Sequence, residues 1–323
     1  MEATSTIYVA GHRGLVGSAV VRALEARGLE QLLTRTSAEL DLRDPAVTRA
    51  FFEAERPDYV VVAAAKVGGI LANDTYPADF IRQNLAIQQS VIEAAHAVGV
   101  QRLVFLGSSC IYPKHAPQPM KEEHLLTGPL EPTNEWYAIA KIAGIKLCQA
   151  FRKQYGDDFV SLMPTNLYGI GDNFDLKSSH VLPALLRKFH EAKGANSDGS
   201  DATVTLWGTG TPRREFLLAD DLADAIVTVL STPAETLYEV APDGILNVGV
   251  GSDVTIAKLA ETIRDAVGSS SDIVYDATKP NGTPRKLLDV SRMERLGWTS
   301  STSLLDGVAS VYTWYREQLA PAA

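Results

Sequence analysis

Short apolar runs alternate with longer amphipathic segments through the first half of the chain. The runs at Ile7–Ala10, Asp58–Ala65 and Leu103–Leu106 are followed by glycine or polar residues, which is typical of strands buried on both faces of a parallel sheet. Apolar residues recur at helical spacing from Pro77 to Val98 and from Glu135 to Tyr155. Strands that alternate with helices in this way predict an α/β fold, built on a doubly wound parallel sheet.

The alternation becomes irregular after a further strand at Phe159–Met163. Beyond it the pattern predicts a polar loop at 194–201, a strand at 204–207 and helices near 256–267 and 304–317. The chain is therefore predicted to have two parts, a sheet domain over residues 1–170 and a smaller α+β domain over residues 171–323. Some of the C-terminal half is expected to return to the first domain.

A glycine-rich turn directly follows the first strand and precedes a helix predicted at Ser18–Arg27. Gly11 suits a tight turn, Gly14 suits a close approach of backbone N–H groups to a pyrophosphate, and Gly17 suits close packing of helix on strand. The order of strand, glycine turn and helix favours a phosphate-binding unit. A glycine turn without any ligand is the alternative at this stage.

The second strand, near Gln31–Thr34, carries no acidic residue at its end. Dinucleotide-binding proteins that prefer NAD usually have Asp or Glu there to hold the ribose 2′-OH. Arg13 and Arg35 are instead candidates to bind a 2′-phosphate, and Asp41 and Leu42 are candidates to lie near the adenine. The alternative for each arginine is a solvated surface charge.

Ser108 and Cys110 directly follow the buried strand at Leu103–Leu106, and Tyr137 and Lys141 lie four residues apart. Ligands of open α/β sheets bind beyond the carboxyl ends of the strands, and four-residue spacing places two side chains on one helix face. A serine, a tyrosine and a lysine that converge there could polarise a carbonyl group and protonate it. The alternative for Cys110 is a small buried apolar residue.

The composition narrows the possible partners. A formal net charge of −9 disfavours nucleic acid, which requires a basic surface. No apolar run approaches the ~20 residues of a membrane helix, and the first residues lack the pattern of a signal peptide. Because the chain has only two cysteines, no disulfide scaffold and no metal site are predicted, and a cytoplasmic location is the expectation.

The glycine turn, Ser108 and the Tyr137-x-x-x-Lys141 pair resemble the extended short-chain dehydrogenase/reductase family. Longer segments are similar to members that act on a GDP-linked sugar: Ala10–Gly14, Ala63–Ile70, Leu106–Pro113, Tyr137–Gly144, Met163–Gly169 and Gly282–Lys286. The resemblance covers nearly the whole chain. It implies a Rossmann-like domain that binds NADP(H), a smaller domain that binds a GDP-linked 4-keto-6-deoxy sugar, and a homodimer.

The resemblance also implies roles for individual residues. Ser108, Tyr137 and Lys141 correspond to the reductase triad, and Cys110 and His180 to an acid/base pair for epimerisation. Residues implied in cofactor binding are Gly11, His12, Arg13, Gly14, Leu15, Val16, Gly17, Arg35, Ser37, Asp41, Leu42, Ala64, Leu106, Gly107, Lys141, Pro164, Thr165, Asn166, Leu167 and His180. Residues implied in substrate binding are Lys188, Trp207, Arg214 and Asn281.

The activity implied is epimerisation at C3 and C5 of the sugar, followed by NADPH-dependent reduction of the C4 ketone. Ser37 stands where the family has an arginine near the 2′-phosphate, so only a modest preference for NADPH is expected. Asn281 stands where the family has an aspartate in the substrate loop. The alternatives are another nucleotide-sugar epimerase or reductase of this family, or a regulator that senses the cofactor without catalysis.

Overall fold

The computed structural model describes residues 1–2, 4–176, 178–196, 198–279 and 281–319, apart from the side chains of Ile70 and Leu71. Its first half runs β1 (Ile7–Ala10), α1 (Leu15–Glu25), β2 (Leu32–Leu33), α2 (Pro45–Glu55), β3 (Tyr59–Val62), α3 (Ile70–Thr75), α4 (Pro77–Val98), β4 (Arg102–Leu106), α5 (Glu135–Tyr155), β5 (Phe159–Pro164) and β6 (Asn166–Tyr168).

The second half runs α6 (Val181–Ala192), β7 (Val204–Trp207), β8 (Arg213–Arg214), β9 (Phe216–Leu218), α7 (Ala219–Ser231), α8 (Ala234–Val240), β10 (Ile245–Val248), β11 (Val254–Thr255), α9 (Ile256–Val267), β12 (Ile273–Asp276), β13 (Arg285–Lys286), α10 (Ser291–Arg295) and α11 (Leu304–Leu319). Among the described residues, no helix is both long enough and apolar enough to cross a membrane.

The central sheet of the described chain has six parallel strands in the order β10-β5-β4-β3-β1-β2. Alternate strand residues face opposite sides: Val9 and Val104 pack with α1 and α7, while Phe105 packs with α4 and α5. The chain reverses its direction across the sheet between β1 and β3, and such a switch point opens a crevice beyond the carboxyl ends of the strands. The predicted doubly wound α/β fold is confirmed.

A smaller body of the second half packs around α6, α9 and α11, with Leu186, Phe189 and Ile263 fully buried among them. The parallel pair β7–β12 lies at this cluster, and a short sheet of order β11-β8-β13 lies nearby. One strand of the second half, β10, pairs with β5 in the central sheet. Part of the C-terminal half of the chain therefore lies in the central sheet.

Several predicted bounds were wrong by a few residues. Helix α1 begins at Leu15 rather than Ser18, because Gly14 already serves as its extended N-cap. Strand β3 ends at Val62 rather than Ala65, because the chain there passes closely over the turn at Gly11. Helix α2 was not predicted. Its N-terminus carries a capping residue, since Asp44 accepts hydrogen bonds from the N–H groups of Ala46 and Val47.

Candidate active site

The glycine turn is sterically demanding at two of its three glycines. Gly11 has φ = +84°, and a Cβ there would lie 2.7 Å from the backbone nitrogen of Ala64. A Cβ on Gly17 would lie 2.1 Å from the carbonyl oxygen of Gly11. Both positions therefore exclude any side chain, and the predicted tight turn at Gly11 and close packing at Gly17 are confirmed.

The same turn has the features of a dinucleotide cradle. Gly14 is exposed at the start of α1, where free N–H groups and the helix dipole favour a phosphate. The Nδ1 atom of His12 is buried without a hydrogen-bond partner, and such an atom is costly unless a ligand or water pairs with it. The residues from Gly11 to Gly17 thus fit a bound dinucleotide.

Arg13 and Arg35, the two candidates for a 2′-phosphate, differ in the contacts that they make. Arg35 is paired with Glu55 at 2.7 Å, donates to the carbonyl of Thr34 and lies over the ring of Phe51. Arg13 is exposed, and no ion pair holds it within the described ranges. Arg13 is therefore the freer of the two cations for a 2′-phosphate.

The first acidic residue after β2 is Glu39, six residues beyond the strand. Glu39 accepts hydrogen bonds from the backbone N–H and the hydroxyl of Thr36, and these bonds, with weaker help from Arg13 and Arg35, lower its pKa. The strand end itself carries no acid, as the sequence predicted, since Arg35, Thr36 and Ser37 follow it.

The remaining candidates near β2 differ in exposure and in their partners. Ser37 is exposed, whereas Leu42 is buried in the core next to the sheet. Asp41 forms an ion pair with Arg43 at 2.7 Å, which lowers its pKa to about 2.

At the end of β4, Gly107 leads into Ser108 and a single 3₁₀ turn over Ser109–Ile111. Gly107 packs so tightly that a Cβ would lie 2.4 Å from the sulfur of Met163. The hydroxyl of Ser108 caps the turn by accepting from the N–H of Cys110 at 3.4 Å. This turn places Ser108 and Cys110 beyond the carboxyl end of the strand.

Tyr137 and Lys141 reach this position from the first turns of α5. The Nζ of Lys141 donates to the carbonyl of Leu106 at 2.7 Å and lies 5.9 Å from the ring centre of Tyr137. Tyr137 packs edge to face against Phe80 on α4. The predicted convergence of α5 with the end of β4 is therefore observed.

Burial governs the ionisation of this pair. It lowers the pKa of Lys141 to about 8 and raises the pKa of Tyr137 well above its usual range. For Tyr137 the larger cause is desolvation of the phenol, and the nearby Cys110 adds to the rise. Tyr137 is thus a neutral phenol, which can donate a proton.

Cys110 is buried, with 9% of its surface exposed. Burial raises its pKa, while Lys286, the hydroxyl of Ser108 and Lys141 oppose the rise in that order. Desolvation of the thiol thus exceeds the attraction of the two cations. In the free protein Cys110 is a thiol.

His180 is the N-cap residue of α6, and it is exposed. Its surface is reached by water, yet protein surrounds it on most sides, and this desolvation lowers its pKa. The neighbouring carbonyl of Ser178 packs against Gly69 in the loop after β3, where a Cβ would lie 3.3 Å away. The start of α6 is thereby held beside the carboxyl end of the sheet.

The segment Pro164–Leu167 lies at the end of β5 and the start of β6. Thr165 donates from its N–H to the carbonyl of Val248, and the side chain of Asn166 donates to the carbonyl of Glu215 at 2.8 Å. These bonds fix the segment at the edge of the sheet, next to the crevice.

The four predicted substrate residues lie around β7 and β8. Lys188 donates to the carbonyl of Thr205 at 3.2 Å, and Trp207 at the end of β7 is 68% exposed. Arg214 lies on β8, where burial lowers its pKa. The amide of Asn281 is bonded to Thr209, so this side chain holds the turn after β7.

Two residues at this site escaped the sequence prediction. Lys286 on β13 lies opposite Arg214 in the strand register, and nothing local in the sequence signals that it approaches Cys110. Glu215 is fully buried and accepts from the N–H groups of Val250, Gly251 and Leu288. By contrast, Asn84 on α4 bonds to the backbone N–H and carbonyl of Lys66, and it thereby holds the loop after β3.

Residues 7–249 match the model of the NAD dependent epimerase/dehydratase family. The GDP-L-fucose synthase of Escherichia coli K12 is 55% identical over 313 residues, which cover 96% of each chain. GDP-L-fucose synthase 1 of Arabidopsis thaliana is 56% identical over 97% of this chain and 94% of its own.

A solved structure of a GDP-6-OMe-4-keto-L-xylo-heptose reductase from C. jejuni superposes with a TM-score of 0.91 at 37% identity, covering 98% of this chain and 99% of its own. Geometry, family model and relatives agree: the chain belongs to the NAD dependent epimerase/dehydratase family of extended short-chain dehydrogenases/reductases, and within it to the GDP-L-fucose synthases.

Proposed function

We propose that the protein converts GDP-4-keto-6-deoxy-D-mannose to GDP-L-fucose, by epimerisation at C3 and C5 and then NADPH-dependent reduction of the C4 ketone. The observation that carries the proposal is the position of Cys110 within electrostatic range of both Tyr137 and Lys141. A simple ketone reductase needs only the phenol and the ammonium. A further proton-transfer group beside them fits an enzyme that also inverts carbon centres.

Residues 1–170 bind NADP(H) in this proposal, and residues 171–323 mainly bind the nucleotide-sugar. The turn from Gly11 to Gly17 holds the pyrophosphate, and Arg13 pairs with the 2′-phosphate. Lys141 holds the nicotinamide ribose, and Pro164–Leu167 lie against the nicotinamide. When bound, the cofactor supplies the hydride for C4.

The substrate is held by residues around β7 and β8. Arg214 and Lys188 hold the diphosphate by charge, and exposed Trp207 offers a flat face to the guanine.

Epimerisation begins because the C4 ketone makes the protons on C3 and C5 acidic. A base removes the proton from one face, and the electron pair moves to the C4 oxygen as an enolate. The hydroxyls of Ser108 and Tyr137 stabilise that oxygen by hydrogen bonding. An acid then returns a proton to the opposite face. Cys110 is the base and His180 the acid in this assignment.

Reduction uses the same hydroxyl pair after both centres have inverted. Tyr137 gives its proton to the C4 oxygen as that atom gains negative charge, and the ammonium of Lys141 stabilises the phenolate that forms. The raised pKa of Tyr137 in the free protein means that the proton is in place before the reaction.

The direct test incubates the purified protein with NADPH and GDP-4-keto-6-deoxymannose and identifies the sugar product by NMR. GDP-L-fucose is the expected product. A GDP-6-deoxyhexose that keeps the original configuration at C3 and C5 would show that the protein is only a reductase, like the heptose reductase that it resembles in structure.

A homodimer is the assembly that we propose, formed through α4 and α5. These two helices pack side by side on one face of the sheet, and Trp136 and Ile139 of α5 are 41% and 40% exposed. The two side chains are three residues apart, so they form one apolar surface on the helix. We place the enzyme in the cytoplasm, where NADPH and reduced cysteines are present.

A further inference from the structure

Lys286 is brought to the site by strand pairing between distant parts of the chain. Strand β13 pairs in parallel with β8, so that Arg285 lies opposite Arg213 and Lys286 opposite Arg214. Successive side chains of a strand point to opposite faces. Arg285 forms an ion pair with Asp253, so Lys286 points to the other face, with Arg214.

The segment after Lys286 is attached to the loop that follows Cys110. The N–H of Met120 donates to the carbonyl of Leu287, and the N–H of Asp289 donates to the carbonyl of Met120. The N–H of Leu287 also donates to the side chain of Gln118 at 2.8 Å. These three bonds hold the segment directly after Lys286 against Gln118 and Met120, in the loop that follows the turn of Cys110.

The ammonium of Lys286 is enclosed by protein and has no hydrogen bond or ion pair within the described ranges. Three charged or titratable groups face it: Cys110, Arg214 on β8, and Glu131 in the loop before α5. Arg214 repels it and Glu131 is itself paired with Lys114 at 3.0 Å. A negative charge on Cys110 would therefore be its strongest available partner.

Cys110 in turn is faced by Lys286, by the hydroxyl of Ser108, and by Lys141 and Tyr137 of α5. Among these, Lys286 opposes the effect of burial on the thiol most strongly. Lys141 contributes less, and it already donates to the carbonyl of Leu106. The cation that matters most to Cys110 thus comes from β13, far away in sequence.

We propose that Lys286 is a positioning residue that stabilises the thiolate of Cys110 and so makes it a base for epimerisation. The inference rests on the proposed function. The thiol first releases its proton to water, and the thiolate then takes the proton from C3 or C5. In that step the C–H bond breaks, an S–H bond forms, and the electron pair of the C–H bond moves to the C4 oxygen.

The test measures the thiolate directly, without substrate. The full-length protein is alkylated with iodoacetamide between pH 6 and 10, and the modified Cys110 peptide is quantified by mass spectrometry. Since only the thiolate reacts, the pH profile reports the pKa of Cys110. We expect Lys286→Met to reduce the alkylation rate at pH 7.5 by about tenfold, equivalent to a rise of about one pKa unit.

Two matched variants control the result. Lys286→Arg keeps the charge and should restore the profile to within about threefold of wild type. Arg285→Met removes the same charge from the neighbouring residue on the opposite face of β13, and it should leave the profile unchanged. Thermal unfolding of each variant checks that the comparison is made between folded proteins.

Deuterium exchange at C3 and C5 without NADPH should fall in Lys286→Met in parallel with the thiolate fraction. An unchanged alkylation profile in folded Lys286→Met, or an equal shift in Arg285→Met, would overturn the inference. A wild-type protein that exchanges no deuterium at either carbon would instead overturn the proposed function, so the two failures are distinct.

Discussion

Cys110 and Cys148 are the two cysteines of the chain, and both are buried, but their surroundings differ. Cys148 lies on α5 in the core beside the sheet, 1% exposed, where burial raises its pKa to about 12. Ser161 approaches it without a hydrogen bond of good geometry. Cys110 lies at the end of β4, where two lysines and a serine oppose the effect of burial.

The comparison shows that burial alone does not distinguish a structural thiol from a reactive one. The two cysteines differ in which strands and helices end beside them. Around Cys148, α5 packs into the apolar cluster beside the sheet, whereas the carboxyl end of β4 meets the start of α5. Lys286 of β13, from the other end of the chain, also acts on Cys110 there. Charge can stabilise a thiolate only where such ends converge.

The largest effect is expected when each cysteine is replaced by serine. Cys110→Ser should reduce deuterium exchange at C3 and C5 by about 10²–10⁴-fold, because a hydroxyl ionises far less readily than a thiol and so supplies no anionic base. Cys148→Ser should leave turnover near wild type and instead lower the free energy of unfolding by about 1–3 kcal/mol, since it buries a hydroxyl. Exchange is measured by NMR in D₂O without NADPH. Equal exchange in both variants would remove Cys110 from the reaction.

Tyr137→Phe, also at the β4 end, tests the proton donor for the C4 oxygen. We expect NADPH oxidation to fall by about 10²-fold or more, because the C4 oxygen loses its proton donor. Binding of NADPH, followed by its fluorescence, should be nearly unchanged. If the variant turns over at the wild-type rate, another group must donate the proton.

Lys141 is one of the cations that act on Cys110 and not on Cys148. Its ionisation should make both the activity and the stability depend on pH. Its pKa of about 8 in the folded protein predicts that kcat/KM falls as the pH rises through 8, when the ammonium is lost.

Between pH 8 and about 10.4 the unfolded chain keeps the proton of Lys141 and the folded chain does not. This group therefore makes unfolding less favourable as the pH rises. Urea unfolding of wild type against Lys141→Met at several pH values isolates the contribution. A pH-independent difference would contradict it.

The smallest effect is expected on the preference for NADPH over NADH, when Arg13 or Arg35 is replaced. Like the two cysteines, these two arginines are the same residue type but have different neighbours. Arg13→Ala should lower the preference for NADPH over NADH by about tenfold, as one charged hydrogen bond is worth about 1.5–3 kcal/mol. Arg35→Ala should change it by less than about threefold, because Arg35 is paired with Glu55. The ratio of kcat/KM for the two cofactors measures both, and a larger effect of Arg35 would reverse the assignment.

Much of the sheet and part of the site could be predicted because their signals are local. The glycine turn at Gly11 follows its strand directly, and Tyr137 and Lys141 are one helical turn apart. The bounds of α4 and α5 were predicted correctly, since both are long and strongly periodic. Short elements such as β8, β11 and β13 were missed, because two residues carry no periodicity.

The amino-acid sequence by itself therefore determined the α/β order, the phosphate turn and the residue types beyond β4, all of which depend on neighbours along the chain. Only the tertiary structure decided which charges act on those residues. The carboxylate of Glu39 bonds to Thr36, Glu55 forms an ion pair with Arg35, and Lys286 on β13 acts on Cys110. The physical reason is that an ionisation state depends on distance and desolvation, and strand pairing between remote segments sets both.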